Sequence, residues 1–238
     1  MVQAIKKSYF GSVLKKIARP LLPGWVDPGR LIVQGPHLRR MLQRVMRESP
    51  GIENVLNAGA GEGLYSHLLL EFPDTQQVLE LDASYHQCFR RASNLKQQFL
   101  AASLTTLPLV DETIDLILCS EVLEHIQQDE AALYELTRVL VPGGWLLISV
   151  PTPPAVFDSA HIREGYTVGE LSKLLGKNGL EVVEVRFCMH AVFKFFLKSY
   201  RPGWVPRGVV FILSWLDRGL PLGQPMDLMI LARKESKD

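Results

Sequence analysis

A glycine turn between an apolar strand and an apolar helix constrains the fold of this chain more than any other feature. The stretch Asn57-Ala58-Gly59-Ala60-Gly61-Glu62-Gly63 follows Val55-Leu56 and precedes an apolar run at residues 64–70. That order predicts a strand, a tight turn and a helix, which lets a ligand approach the backbone closely. The dinucleotide fingerprint G-x-G-x-x-G would need a glycine at Leu64, so the turn predicts a nucleotide-like ligand without identifying it.

Strand and helix patterns alternate along the rest of the chain. We predict strands at residues 52–57, 77–82, 99–101, 114–119, 145–150, 180–187 and 227–232. Helices are predicted at residues 63–72, 84–97 and 130–140, and a further helix begins at the capping-box sequence Thr167-Val168-Gly169-Glu170 and ends at Asn178-Gly179. This alternation is typical of a doubly wound, mainly parallel α/β sheet.

The N-terminal part of the chain is strongly basic. Residues 1–47 hold ten Lys and Arg and one acid, whereas the remainder holds 16 basic and 24 acidic residues. Amphipathic helices are predicted at about residues 5–17 and after Pro36. One interpretation is that they cover the site with solvated outer charges, and a second is that they dock on an anionic membrane surface. RNA binding is a weaker alternative, because no recognisable RNA-binding module accompanies the charge.

An apolar, aromatic segment precedes the final strand. Its aromatic residues are Phe193, Phe195, Phe196, Trp204, Phe211 and Trp215. Its longest uncharged run, residues 208–216, is far shorter than the roughly 20 residues that span a bilayer. We expect buried packing or a lid over an apolar acceptor, with a membrane contact or a dimer interface as alternatives. The predicted organisation is a basic extension at 1–47, a core at 48–186, this insertion at 187–226, and the final strand with its tail at 227–238.

The cysteine and histidine patterns argue against several classes of site. Three cysteines lie far apart, with neither zinc-ligand spacing nor a disulfide framework, so we expect a reduced, cytoplasmic compartment. No long apolar stretch follows Lys6 and Lys7, so we expect no cleaved signal peptide. The histidines show no ligand spacing, and we predict no metal site.

A series of motifs occurs in a fixed order along the core: VLNAGAGEG at 55–63, LD at 81–82, LPL at 107–109, DETIDLIL at 111–118, EVLEHI at 121–126 and LVPGGWLLISVP at 140–151. Together they resemble the class I S-adenosylmethionine-dependent methyltransferases. They are most similar to the small-molecule branch that includes enzymes of the ubiquinone-biosynthesis type. The resemblance covers about residues 50–186. It implies a seven-stranded, Rossmann-like sheet with an antiparallel last strand, and S-adenosyl-L-methionine as the cofactor.

The resemblance also implies a set of cofactor-binding residues. They are Asn57, Ala58, Gly59, Gly61, Asp82, Ala83, Ser103, Leu104, Glu121 and Val122. The glycine-turn residues, with Glu121 and Val122, would lie near the methionine moiety. Residues 83, 103 and 104 would lie beside the adenine. Asp82 would bind the ribose, a role that its position after the second strand also predicts, with a helix-capping acid as the alternative.

Two positions depart from the pattern of the relatives that the resemblance suggests. Many of those relatives have an acid where this chain has Asn57, and many have aspartate where it has Ser103. Asparagine and serine can still form hydrogen bonds. The departures therefore bear on cofactor affinity more than on cofactor identity.

Catalysis of methyl transfer requires an acceptor held in line with the methyl group, and a base if the acceptor is a hydroxyl or phenol. His125, after the fourth strand, and His161, after the fifth, are the candidate catalytic residues; ordinary packing histidines are the alternative. Arg163 and Tyr166 follow His161 and are predicted to contact the substrate, against an ordinary solvated loop. We expect Glu124 to be a solvated or helix-capping acid.

These features predict a methyltransferase that acts on a small, lipid-like or glycan-linked acceptor. An RNA or protein methyltransferase is the first alternative, motivated by the basic N-terminus. A cofactor-binding scaffold without turnover is the second, motivated by Asn57 and by the lack of an obvious catalytic base.

Overall fold

The computed structural model describes residues 26–84, 95–155, 161–190 and 207–236. The strands are β1 (Asn54–Ala58), β2 (Gln77–Asp82), β3 (Gln97–Ala101), β4 (Ile114–Ser120), β5 (Leu140–Pro151), β6 (Leu180–Cys188) and β7 (Asp227–Lys234). The helices are α1 (Val26–Val33), α2 (Gly35–Glu48), α3 (Ser66–Leu69), α4 (Asp129–Val139), α5 (Val168–Lys177) and α6 (Arg207–Gly219), with a 3-10 turn at Leu123–His125. The helix predicted at 5–17, most of the one predicted at 84–97, and the aromatic residues 193–204 lie outside the described residues.

The seven strands form one sheet in the order β3-β2-β1-β4-β5-β7-β6. β1 pairs in parallel with β2 and β4, and β2–β3 and β4–β5 are also parallel pairs. β7 runs antiparallel to both β5 and β6. The predicted doubly wound sheet with an antiparallel last strand is therefore confirmed. The carboxyl ends of β1, β2, β4 and β5 share one edge, where ligands of such sheets bind.

Each face of the sheet is covered by helices over a separate apolar core. Successive residues of β1 point to opposite faces, so Val55 joins one core and Leu56 the other. The first core also contains the predicted apolar face of α2, whose members are all buried: Leu38, Met41, Leu42 and Val45. Burial of a side chain of this size stabilises the fold by about 1.5–3 kcal/mol.

The helix predicted at residues 63–72 is much shorter than expected. α3 has only four residues, and turns occupy 61–65. Gly61 and Gly63 have φ angles of 52° and 65°, in the left-handed region that a right-handed helix excludes. A single helical turn has little aligned dipole, so polar contacts to a ligand must come from the glycine turn itself.

Two strands begin earlier than predicted. β5 starts at Leu140, which pairs with Ile114, but the next register pair is Leu116 with Trp145. Residues 141–144 therefore bulge out of the ladder, with Gly143 at φ 76°. The sequence Pro142-Gly143-Gly144 therefore lies inside a strand, where it forms the bulge. β3 likewise starts at residue 97, where the sequence pattern predicted the end of a helix.

The capping box predicted before α5 is present. Thr167 Oγ1 accepts a hydrogen bond from the Glu170 backbone N–H (3.2 Å), and the Glu170 carboxylate accepts one from the Thr167 N–H (2.9 Å). Such a cap is worth about 1 kcal/mol. It fixes the start of the helix and thereby the loop at 161–166 that precedes it.

α6 packs against α1 through one side only. Ser214 Oγ donates to the backbone carbonyl of Ile32 at 3.2 Å. The outer side carries Phe211, Ile212 and Trp215, which are 61%, 57% and 65% exposed. In the part of the chain that the structure describes, no helix has the length and apolarity needed to cross a bilayer.

Candidate cofactor and active site

A cavity of about 330 Å³ opens at the carboxyl edge of the sheet beside the glycine turn. Its walls come from α1, the turn after β1 and the end of β4. They include Arg30, Asn57, Gly59, Gly61, Tyr65 and Glu121. Four of the predicted cofactor residues, Asn57, Gly59, Gly61 and Glu121, thus line one space.

The conformation of the glycine turn requires glycine at position 59. Gly59 has φ 71°, and a Cβ atom there would lie 2.3 Å from Cγ2 of Val122. Val122 therefore packs directly over the backbone of the turn. The structure thus places these two predicted residues in direct contact.

The Asp82 carboxylate is held by the turn that it faces. Its Oδ2 accepts a hydrogen bond from the Gly61 N–H and its Oδ1 one from the Ser84 N–H, both at 2.8 Å. Each carboxylate oxygen keeps a further lone pair for a ribose hydroxyl. The side chain is thus fixed at the end of β2 with acceptor capacity left, as ribose binding requires.

Asn57 is buried against an acid that the sequence analysis did not single out. Its Nδ2 donates to Glu80 Oε2 at 2.7 Å, and both residues are at most 5% exposed. Gln97 Nε2 donates to the other oxygen of Glu80 at 3.0 Å. The amide at position 57 therefore complements a buried carboxylate on the neighbouring strand, which accounts for asparagine at a position where an acid was expected.

Glu121 is the acidic end of the cavity and has a strained backbone. Its φ of 56° lies in the left-handed region, which costs of order 1–3 kcal/mol for a residue with a side chain. The Glu121 N–H donates to the carbonyl of Ser149 (2.9 Å), and Ser149 Oγ donates to Glu121 Oε1 (3.0 Å). Arg30 Nη2 lies 3.4 Å from Glu121 Oε2. An acid and a base therefore face the same cavity.

These groups suit the amino-acid end of S-adenosylmethionine. Its ammonium group matches the Glu121 carboxylate, and its carboxylate matches the Arg30 guanidinium. The tight glycine turn leaves room for the chain between those two ends. The described residues of the cavity therefore fit the cofactor that the sequence motifs imply.

The predicted adenine-side residues lie farther along the edge. Leu104 is buried in the core with 6% of its surface exposed. Ser103 Oγ is 2.8 Å from Thr105 Oγ1 and accepts from the Thr105 N–H, so it organises its own turn. Neither residue, nor Ala83, lines the cavity beside the glycine turn. Their adenine contacts stay a prediction.

The two candidate catalytic histidines meet although 36 positions separate them. The His125 and His161 ring centroids are 4.7 Å apart, with the planes at 66°. Between them and the core lies Glu124, whose Oε1 is 3.7 Å from His125 Nε2. A catalytic role for either histidine stays a prediction; His125 follows β4 and His161 follows β5, as the sequence predicted.

The sequence expectation for Glu124 is wrong. The residue is fully buried, and neither carboxyl oxygen has a hydrogen-bond partner among the described residues. Burial, and then the nearby Glu121 carboxylate, raise the pKa of Glu124 to about 9. Glu124 is therefore a buried acid whose oxygens have no hydrogen-bond partner among the described residues, instead of a solvated or capping carboxylate.

Arg163 and Tyr166, the predicted substrate contacts, are bound to an acid at the start of α4. Arg163 Nη2 donates to Asp129 Oδ1 (2.7 Å) and Tyr166 OH donates to Asp129 Oδ2 (2.8 Å). Burial and then the bond to Asp129 raise the pKa of Tyr166 above its ordinary value. The three residues line a separate cavity of about 400 Å³ beside α5. Substrate contact by Arg163 and Tyr166 stays a prediction, and their cavity is separate from the one beside the glycine turn.

Comparison with known proteins agrees with the geometry. Residues 56–148 match the family described as "Methyltransferase domain". A protein of Mycolicibacterium smegmatis named "Probable S-adenosylmethionine-dependent methyltransferase" is 31% identical over 159 residues, which cover 62% of this chain and 59% of that protein. The chain thus spans about three fifths of that relative, and about two fifths of the next two curated relatives.

Solved structures match in fold at low identity. An S-adenosylmethionine-dependent methyltransferase from Mesorhizobium loti has a TM-score of 0.60 and 19% identity, over 85% of this chain and 98% of that one. The [4+2]-cyclase SpnF has a TM-score of 0.58 and 17% identity, over 84% of this chain and 82% of that one. The fold is therefore shared with proteins of more than one named activity.

Proposed function

We propose that this chain, whose residues 56–148 match the family described as "Methyltransferase domain", is a class I S-adenosylmethionine-dependent methyltransferase that transfers the cofactor's methyl group to a small or lipid-like acceptor. The observation that carries the activity is the cavity between the glycine turn, Glu121 and Arg30, beside the fixed carboxylate of Asp82. A pocket with opposite charges and a fixed ribose acceptor suits S-adenosylmethionine better than it suits a nicotinamide dinucleotide, which would need an anion site for its pyrophosphate.

The protein's part in the reaction is binding and orientation. The cofactor supplies a methyl group already activated by its sulfonium. Arg30 and Glu121 would hold the amino-acid end, and Asp82 would hold the ribose. Val122, packed against Gly59, would hold the glycine turn in its conformation. His125 and His161 follow β4 and β5, where they would position an acceptor that enters at this edge of the sheet.

Calorimetry with S-adenosylmethionine tests the binding half of the proposal. We expect one site, and at least a tenfold loss of affinity in Asp82→Ala. Asp74→Ala is the matched control, because Asp74 also accepts a backbone hydrogen bond, from Gly51, but in an exposed loop away from the cavity. Absence of binding to the wild-type protein, or equal loss in both variants, would refute the assignment.

A cofactor-binding scaffold without turnover is the competing function, because the cavity accounts for cofactor binding while the catalytic roles of His125 and His161 stay predictions. Turnover separates the two. The protein is incubated with methyl-labelled cofactor and, in parallel, with lipid extract, small-metabolite extract, RNA and protein. Label transfer into the lipid or metabolite fraction supports the proposal. Transfer into RNA or protein favours the first alternative, and binding without transfer favours the scaffold.

The proposed lipid-like acceptor is supported by the outer face of α6. Phe211, Ile212 and Trp215 are exposed on that helix, whose inner side packs on α1. The basic stretch 1–47 runs into α1 and α2. Exposed aromatic side chains in a chain that also carries a strongly basic N-terminal stretch suit an anionic membrane surface. Docking there would bring the cavity edge near membrane-dissolved acceptors.

Vesicle flotation tests this membrane contact. We expect the protein to float with vesicles that contain anionic lipid and to float less with neutral ones. Trp215→Ser should reduce flotation several-fold, whereas Tyr134→Ser, which removes an exposed aromatic on α4, should not. Equal flotation of both variants would remove the support that α6 gives to the lipid-like acceptor.

A further inference from the structure

We propose that Glu124, His125 and His161 bind one divalent transition-metal ion, of which Zn²⁺ is the probe. Each residue offers one ligand atom, and the three atoms lie within 4.8 Å of one another. Ligand atoms around a tetrahedral zinc ion are about 3.4 Å apart, given metal–ligand distances near 2.1 Å. Small side-chain rotations would therefore close the three groups around a metal ion.

The buried carboxyl group of Glu124 is the second observation that points to a cation. Both of its oxygens lack a hydrogen-bond partner among the described residues, in a fully buried position. Buried polar atoms are almost always paired, so such a group calls for a specific explanation. The Glu121 carboxylate adds negative charge nearby, while the Arg30 guanidinium is engaged with Glu121. A cation on Glu124 would satisfy its oxygens and offset that charge.

Backbone hydrogen bonds hold the ligand-bearing segments together. The Ile162 and Arg163 N–H groups both donate to the carbonyl of Glu124, at 3.0 and 3.3 Å. The His125 N–H donates to the carbonyl of Val122 at 3.0 Å. The loop that carries His161 is thereby joined directly to the 3-10 turn that carries the other two residues. The site is built before a metal ion arrives, which limits the entropy lost on binding.

The donor set defines the metal class. Two imidazoles and one carboxylate suit Zn²⁺ or Fe²⁺ and are poor for Mg²⁺, which prefers oxygen ligands. Three protein ligands leave a coordination position open. Because the His125 side chain is 36% exposed, that position can face the entry side of the site.

An open position at the end of β4 deepens the proposed function and rests on it. A hydroxyl group of the acceptor bound there would release its proton to solvent more readily. The oxygen lone pair would then form the new C–O bond to the methyl carbon, and the C–S electron pair would stay on sulfur, which gives neutral S-adenosylhomocysteine. The site would thus select hydroxyl or phenol acceptors over amines.

Metal binding is tested without the cofactor, so that its failure is separate from failure of the proposed function. The full chain is stripped with a chelator, which is then removed, and Zn²⁺ is titrated by calorimetry, with elemental analysis for stoichiometry. We expect one equivalent per chain and at least a tenfold weaker affinity in His161→Asn and in Glu124→Gln. His67→Asn is the matched control, because His67 is an exposed histidine on α3, and we expect it to bind as the wild type does.

A thermal melt shows whether the two site variants are folded. Each variant is melted in a separate sample, and a cooperative transition at a temperature close to that of the wild type qualifies the variant for titration. Wild-type protein that takes up no Zn²⁺, or a folded His161→Asn protein that binds with unchanged affinity, overturns the site. Loss of Zn²⁺ binding in the variants with S-adenosylmethionine binding retained supports a metal site that serves the acceptor.

Discussion

Gly59 shows how a single residue type is fixed by a close contact at the site. We expect Gly59→Ala to destabilise the protein by about 1–3 kcal/mol, because it combines a left-handed φ with an overlap on Val122. The cofactor should bind at least tenfold more weakly, since the glycine turn that lines the cavity must shift. Chemical denaturation and calorimetry measure the two effects.

Matched substitutions separate the overlap from the backbone strain. Gly176 lies in α5 with nothing near its would-be Cβ, so Gly176→Ala should stabilise the protein by about 0.5–1 kcal/mol. In the double variant Gly59→Ala/Val122→Ala the overlaps with both Cγ atoms are gone, which leaves the backbone strain and a tight 3.1 Å approach to the Cβ of residue 122. If the double variant is no better than Gly59→Ala alone, the contact with Val122 is not the reason for glycine at this position.

Asn57 and Glu80 form the second pair that can be tested residue by residue. Asn57→Asp would place two carboxylates in hydrogen-bond contact in a buried site, and we expect a loss of about 1–3 kcal/mol in the free energy of unfolding at pH 7. Adding Glu80→Gln should recover most of that loss, because position 57 then holds the acid and position 80 holds the amide. A double-mutant cycle by urea denaturation measures the coupling; a coupling near zero would contradict the proposed complementarity.

Site residues that follow strands could be predicted from the sequence, whereas site residues whose partners lie far away in the chain could not. Position relative to the strand ends indicated Asp82 and His125, because strand ends in a parallel sheet share one edge, and the family resemblance indicated Glu121. Nothing local marks Glu80 or Arg30, since their partners lie 23 and 91 positions away.

At the level of helices and strands, features that depend on local contacts could be predicted from the sequence, whereas features that depend on strand pairing could not. The capping box gave the start of α5, because every bond in it is made within four residues. α3 is shorter than its apolar run predicts, since Gly63, the first residue of the predicted helix, and Gly61, two positions before it, have left-handed φ angles. The early start of β5 depends on its pairing with β4, which the local pattern does not contain.

α1 forms one wall of the cavity, and its Arg30 forms an ion pair with Glu121 in that cavity. We expect Arg30→Gln to raise the KM for S-adenosylmethionine about 10- to 100-fold with a smaller change in kcat, because the lost contact is made to the bound cofactor before and during reaction. Arg40→Gln, on the exposed side of α2, is the control and should leave both constants unchanged. A fall in kcat with an unchanged KM would contradict a binding role for Arg30.

At the scale of the whole molecule, the topology gathers residues that are remote in the chain. Glu124 and His161 come together because the segments that follow β4 and β5 are neighbours at one edge. The absence of a metal site was predicted from spacing along the chain, and our proposed site departs from it for this reason. The family resemblance predicted the overall sheet, whereas the grouping of side chains at the edge of the sheet could be seen only in the three-dimensional fold.

A buried network joins the helical cover to the last strands. Gln34, between α1 and α2, donates through Nε2 to Asp227 Oδ2 on β7 (2.7 Å), and Tyr65 OH donates to Gln34 Oε1. The Cys188 thiol lies 3.8 Å from the same carboxylate. Burial, and then the Glu121 carboxylate, raise the pKa of Asp227 to about 8. One ionisable group therefore couples the helical cover, the cavity wall and the sheet.

Asp227 should make the protein less stable as the pH rises. Its pKa is about 8 in the folded chain, against an ordinary value of 3.8, so the folded state holds the proton across that window while the unfolded state releases it. The stabilisation is full below the unfolded value and is lost progressively toward pH 8. Asp227→Asn removes this slope, and we expect the variant to gain about 1–3 kcal/mol relative to the wild type between pH 5 and pH 8.

Urea denaturation at the two pH values measures this gain, with Asp74→Asn, a substitution in an exposed loop, as the control that should leave the slope unchanged. A wild-type protein that becomes more stable toward pH 8, relative to the Asp227→Asn variant, would show that Asp227 is ionised in the fold. Its negative charge would then have to be balanced by Arg30, in competition with Glu121. In that case the cation available to the cofactor's carboxylate would be shared between two acids, and the same reversal would weaken the role proposed for Arg30.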